Sequence, residues 1–276
     1  MVSKDTHITT RGGSPLSRLG LAAHPEQDAR CVDAAFDGGI NLFYFYDRTN
    51  EKFIRRLAPL ARRHGDDIVV ASGADDRDEK GLRKEFARIC RMLRTDRLDI
   101  FFAEYISPDD DEEAIFGDGG ALASLAALRE EGLIRYAGAS AHDRSLATRL
   151  IEDGRIDILM HRYNMAHRKS EKTVLPAARK AGIPVLAFTA TRWGTLLDGH
   201  PKWRNPPPSA ADCYRYCLSH PAVSAVLCAA ESLPQLQSDL AALDAPALDR
   251  QTRQAWQRYG DLIYGKGTDR FETEWP

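Results

Sequence analysis

The chain is short of several things, and each absence removes a class of function. Its 276 residues carry a formal charge of only −2, so no global field draws it to nucleic acid or to an anionic membrane. Nowhere do apolar residues run for the roughly 18 positions that a membrane span needs. Met1-Val2-Ser3-Lys4-Asp5 lacks an apolar signal region, so export is not expected and the cytoplasm is the expected location. Cysteine is sparse and odd in number, with Cys31, Cys90, Cys213, Cys217 and Cys228 scattered through apolar surroundings. That pattern reads as reduced, buried thiols. Cys213 and Cys217 stand one helical turn apart, but no His or Cys cluster accompanies them, and no metal is expected. No G-x-G-x-x-G follows the first strand candidate, which takes away the main support for an open, doubly wound sheet. No repeat or linker divides the chain.

What is present is a hydrophobic fraction of 43%, enough for a sizeable core, and a regular alternation of patterns. Short apolar runs at 17–23, 40–46, 68–73, 98–104, 134–140, 156–162, 185–190 and 223–229 predict eight strands. Amphipathic stretches at 29–37, 51–64, 80–93, 121–131, 145–152, 171–181, 210–219 and 233–243 predict the helices between them. Several strands, such as Ile68-Val69-Val70-Ala71, are apolar at consecutive positions, as buried parallel strands tend to be. Eight strand-then-helix units with right-handed crossovers predict a closed (β/α)₈ barrel as one domain over 1–276. Gly132, Gly154 and Gly182 fall where left-handed helix caps are wanted, and Ser209 with Asp212 is close to a capping box. Thr6 to Pro15 reads as a small hairpin ahead of the barrel, 109–120 and 197–208 as surface loops, and 247–276 as a final helix and tail.

Several stretches carry a family likeness. Gly39-Ile40-Asn41-Leu42-Phe43, Leu98-Asp99-Ile100 through Glu104, Gly132-Leu133-Ile134-Arg135 through Ser140, Tyr163-Asn164, and Val226 through Glu231 follow one another in order and spacing. Together they resemble the aldo/keto reductase superfamily over nearly the whole barrel. The resemblance implies a (β/α)₈ barrel whose hairpin plugs the bottom, and a set of functional positions. Carried over residue by residue, the family's catalytic aspartate falls on Tyr44, its tyrosine near Thr49 in a shortened loop, its lysine on Gly73 and its histidine on Glu104. Of the groups that hold the nicotinamide carboxamide, Ser140 is kept while Ala141 and Met160 replace an amide each. Where the adenosine 2′-phosphate is usually held, Glu231 and Asp239 would repel it.

Active sites of such barrels lie at the C-terminal strand ends. Those ends carry candidates for acid/base work: Glu104, which ends an apolar strand and so should have a raised pKa, together with Tyr44, His142 and Asp47. Each has a plainer reading: a bridge to Arg162 or Arg192 for Glu104, packing for Tyr44, a helix cap for His142, a turn for Asp47. Candidates for holding a substrate are Arg162 and Arg192, as a clamp on an anionic group, with Tyr46, Tyr105, Trp193 and Ser140 around them. Trp193 alternatively packs in the core, and His161 should face away from the site. The basic run from Arg88 to Arg97 reads as a solvated face, so no nucleic-acid partner is expected.

The leading expectation is therefore an enzyme that has left nicotinamide chemistry, binds no cofactor, and performs an acid/base reaction (elimination, isomerisation, cyclisation or ring opening) on a small polar, anionic molecule. The alternatives are an NAD(P)H-dependent oxidoreductase in which Tyr44 or Tyr46 supplies the proton, and a catalytically inactive binding protein.

Overall fold

A computed structural model describes residues 8–46, 50–244 and 246–265. Its eight strands are β1 Leu19–Ala22, β2 Leu42–Tyr44, β3 Val69–Ala74, β4 Leu98–Ile106, β5 Ile134–Ala141, β6 Ile158–Arg162, β7 Val185–Phe188 and β8 Val223–Cys228. Each pairs in parallel with the next, and β8 pairs back onto β1 through Leu19 and Val226, closing the barrel in sequence order. The predicted (β/α)₈ barrel is what forms.

Two apolar layers hold it together. Alternate strand residues fill the lumen: Leu42 and Tyr44, Val69 and Ala71, Ile100 and Phe102, Ile158 and Met160, closed below by Ile8. The opposite faces pack on the helices α1 Cys31–Asp37, α2 Glu51–Arg63, α3 Glu79–Leu93, α5 Ala121–Glu130, α6 Arg144–Asp153, α7 Val174–Ala181, α8 Ala210–Leu218 and α9 Leu233–Asp244. The period of two thus decides which residues at the strand tops face inward. Continuing it from the filled lumen layer predicts Gly73, Glu104, Ser140, Arg162 and Phe188 as the next layer up.

The hairpin is present in its described part, as an antiparallel bridge between Thr9 and Pro15, and Arg135 Nη1 donates to Thr9 O at 2.8 Å to fasten it below the barrel. Gly132, Gly154 and Gly182 all have positive φ, and Ser209 and Asp212 form the complete capping box. Two departures from the sequence reading concern local chemistry. The stretch 109–120, read as a loop, contains the short helix α4 Glu112–Phe116, started by Asp111, whose carboxylate accepts from Glu113 N. The helix expected from 171 is broken at Thr173, with a 3-10 turn Lys169–Lys172 before α7. The last helix, α10 Arg250–Tyr264, folds back over the loops after β6 and β7. All five cysteines are free and buried. No helix among the described residues is long and apolar enough to cross a membrane.

Candidate active site

The inward layer at the strand tops builds a small polar network on an apolar floor. Glu104, 3% exposed, has both carboxyl oxygens met by hydroxyls. Tyr44 Oη donates to Oε1 at 2.8 Å and Ser140 Oγ donates to Oε2 at 2.6 Å. The Tyr105 amide donates to Ser140 Oγ at 2.7 Å, which leaves the Ser140 hydrogen for the carboxyl. Burial raises Glu104 from 4.5 to about 7, against the pull of the Ser140 and Tyr44 hydrogen bonds and of the Arg77 charge. Burial, then the neighbouring carboxylate, lifts the Tyr44 phenol well above its ordinary value.

Two backbone features make this arrangement possible. The β4–β5 register slips between Ala103 and Ile106, and Tyr105 takes φ 54° within the strand. Such a bulge re-aims a side chain: Glu104 stays buried while Tyr105 is thrown outward, 46% exposed. The second feature is Gly73. A Cβ there would lie 2.5 Å from Glu104 Cγ and 2.5 Å from Phe102 O, so only glycine leaves room for the carboxyl. Gly73 and Glu104 are a matched pair.

The other candidates fall as follows. Asp47, like Thr49, lies outside the described residues. His142 is buried, and the helix cap it was weighed for is made instead by Asp143, which accepts from Leu146 N at 2.7 Å. Its ring stands edge-on between Tyr105 and Phe188, with centroids at 5.3 and 5.0 Å. Burial, Arg162 and His161 push it down to about 3, so it is a neutral imidazole. His161 faces away as expected: its ring nitrogens meet Ala141 O at 2.7 Å and Ser170 Oγ at 2.8 Å. Arg162 is buried beside these imidazoles, and its charge depresses both.

The sequence reading has Arg192 reaching a substrate; the structure buries it and sets its Nη1 on Ile263 O at 2.6 Å, where it ties the loop after β7 to α10. Tyr259 Oη reinforces that tie by donating to Leu196 O at 2.7 Å. Arg192, Trp193 and Gly194 are successive positive-φ residues. For the two that carry a Cβ this costs roughly 1–2 kcal/mol each. The turn carries Trp193 out of the core, 41% exposed, whereas Trp203 packs on Tyr259 and Trp256. Trp193, Tyr105 and Tyr46 are the exposed large aromatics among the described residues, with Leu197 their aliphatic companion.

One feature escaped the sequence reading. A cleft of ≈ 330 Å³ runs from His142 and Arg162 between the 3-10 turn and α10. Its residues come from segments as far apart as His142 and Tyr264, and only folding assembles them.

Comparison with known proteins agrees with the architecture. The model of the aldo/keto reductase family matches residues 12–212. Among curated proteins, the NADH-specific methylglyoxal reductase of Escherichia coli (strain K12) is 28% identical over 117 residues, 42% of this chain and only 35% of that protein. The uncharacterized oxidoreductase YqkF of Bacillus subtilis (strain 168) is 21% identical over 88% of this chain and 91% of its own length. Among solved structures, aldo-keto reductase AKR11C1 from Bacillus halodurans in its holo form superposes with a TM-score of 0.76 at 20% identity, covering 92% of this chain and 94% of that one. An aldo-keto reductase from Klebsiella pneumoniae in complex with NADPH gives 0.74 at 17% identity, covering 100% and 99%. These findings overturn the expectation of a cofactor-free, non-redox enzyme. The matched family is one of reductases, and two of the proteins above are nicotinamide proteins, one by its name and one by its complex.

Proposed function

Because the chain belongs to the aldo/keto reductase family, we propose that it is a nicotinamide-dependent oxidoreductase acting on the carbonyl of a small polar molecule, with the Tyr44–Glu104 pair delivering the proton. The observation that carries this reading is the buried hydroxyl–carboxyl–hydroxyl network at the top of the lumen. A reduced nicotinamide, when bound, would supply hydride to the carbonyl carbon. The chain's own residues must then neutralise the oxygen.

Tyr44 alone is a poor acid, since losing its proton would set a phenolate 2.8 Å from a carboxylate. Glu104 removes the difficulty. With its carboxyl near 7, a large fraction is protonated at neutral pH. A protonated Glu104 cannot accept from both hydroxyls. When it donates to Tyr44 Oη, the phenol hydrogen is released to another acceptor. Tyr44 passes that hydrogen to the substrate oxygen and takes the carboxyl proton behind it. Glu104 ends ionised, Tyr44 ends neutral, and the product is an alcohol. Ser140 keeps its hydrogen bond to the carboxylate throughout, which steadies the charge left behind.

The residues at the rim fit one kind of dinucleotide better than another. Phe188, partly exposed at the end of β7, and the exposed ring of Tyr105 offer flat faces for an aromatic ring. The Ser140 hydroxyl, which the family resemblance gives to the carboxamide, is committed to Glu104 and Tyr105. At the adenosine end only one of the two expected carboxylates is exposed. Asp239 is buried under Tyr214 Oη, and burial raises it to about 7. Glu231 remains, with its side chain 52% exposed. A carboxylate there accepts from ribose hydroxyls and repels a 2′-phosphate, as in other dinucleotide sites. NADH is therefore the favoured cofactor, and the NADH specificity in the name of the Escherichia coli relative supports that choice.

Calorimetric titration of the full chain tests it. NADH should bind, and NADPH should bind about tenfold or more weakly, a difference of about 1.4 kcal/mol. Equal or tighter NADPH binding would refute the cofactor choice, and failure of both to bind would refute the oxidoreductase reading.

A further inference from the structure

The cleft beside the end of β6 has a composition that the proton chemistry does not use. Five cationic side chains line it: Arg144, Arg162, Arg168, Lys169 and Lys172. Among the described residues only two carboxylates do, Glu171 and Asp261, and both are engaged. Glu171 Oε1 accepts from Tyr163 Oη at 2.6 Å and from Arg253 Nη2 at 3.0 Å, while Asp261 pairs with Arg168. Lys169 Nζ sits 5.4 Å from the centroid of the Tyr264 ring, which holds its charge against the α10 wall. The described lining therefore holds more cationic side chains than carboxylates, with Lys169 and Lys172 exposed at its outer end.

Its inner end carries a second sign of a ligand. His142 is 8% exposed, and its Nδ1 is buried with no hydrogen-bond partner among the described residues. Leaving such an atom unsatisfied costs roughly 1–3 kcal/mol. Both rings that fix His142, Tyr105 and Phe188, belong to the mouth, so the cleft and the proton network meet at this residue.

We propose that this cleft binds an oxyanion group, a carboxylate or a phosphate, carried by the same substrate whose carbonyl is reduced. His142 Nδ1–H donates to the anion at the inner end, and Arg162, Lys169 and Lys172 supply the charge. The substrate is then a small aldehyde or ketone with an acidic group at its far end. This rests on the reductase reading for the carbonyl, but the anion site can be tested without it.

The test begins with the full chain free of cofactor, titrated with inorganic phosphate and separately with malonate. The His142 imidazole signals are followed by NMR. Either anion should shift those signals saturably, and the tighter of the two identifies the acidic group. The surface double variant Lys169→Glu, Lys172→Glu should weaken binding at least about tenfold. His142→Phe, which keeps the ring packing and removes Nδ1, should weaken anion binding independently, as read by calorimetric titration. In the second arm, NADH oxidation is measured with succinic semialdehyde and with the neutral butanal. The anionic aldehyde should have the higher kcat/KM by about tenfold or more, and the double variant should erase that ratio. Absence of saturable binding by both anions overturns the proposal, whatever the reductase assay gives. Anion binding without any aldehyde reduction supports the cleft and refutes the reductase reading instead.

Discussion

Replacing Glu104 by glutamine should make the protein more stable and less active at the same time. The carboxyl sits at about 7 in the folded chain against 4.5 ordinarily. That difference corresponds to about 3 kcal/mol of folding free energy. The sign follows from proton counts. Between 4.5 and about 7 the folded state holds a proton that the unfolded state has lost, so stability falls as pH rises through this window. Above it the full penalty of a buried carboxylate is present; below 4.5 it vanishes. Glutamine carries no charge, but its amide needs an acceptor, and Tyr44 or Ser140 must turn its hydrogen away to provide one. That adjustment costs about 1 kcal/mol. The net expectation is a gain of about 1–3 kcal/mol at pH 8.5, or several degrees in Tm, and little gain at pH 5. Turnover with NADH and a small aldehyde should fall by about 10²–10⁴-fold, since an amide cannot hand on a proton. Thermal melts at the two pH values, run beside the turnover assay, decide the matter. A variant that melts below the parent at pH 8.5 would show Glu104 to be a structural anion and refute the reasoning.

Two further substitutions probe the same network. Tyr44→Phe removes the proposed proton donor and one of the hydrogen bonds that hold Glu104 down; kcat should fall about 10²-fold while the melting temperature moves little. Gly73→Ala should destabilise by about 1–3 kcal/mol through overpacking against Glu104 Cγ and Phe102 O. Combining it with Glu104→Ala should recover part of that loss but not all, because the Phe102 carbonyl is backbone, and a double-mutant cycle by denaturant melts measures the coupling.

The barrel was legible because strand periodicity and buried parallel strands leave a strong mark on a sequence, and the same periodicity turned Tyr44, Glu104 and Ser140 into the lumen, where the two hydroxyls meet the carboxyl. The rest was set by features with no such mark. Gly73 reads as a lost lysine until the Glu104 side chain is seen occupying the space above it. Tyr105 and Trp193 owe their exposure to positive φ values that nothing in those residue types announces. Arg192 reads as a ligand arm because α10 lies some seventy residues away in the chain, and only the closed fold brings Ile263 O to its guanidinium. The cationic cleft depends on the same long-range closure. Counting replaced side chains one at a time points away from a cofactor, against the comparisons with known reductases. Glu104, Tyr44 and Ser140 have to be weighed as a unit, because it is their shared burial that raises the carboxyl into the useful range.

The most direct measurement is the pH dependence of kcat/KM for NADH-driven reduction of a small aldehyde, from pH 5 to 9. The protonated Glu104 is the required form, so the expected profile is level below about 7 and then falls towards tenfold per pH unit above it, with the fall absent in Glu104→Gln. A profile that stays flat to pH 9, or one that rises through pH 7, would contradict a proton delivered through Tyr44 from Glu104.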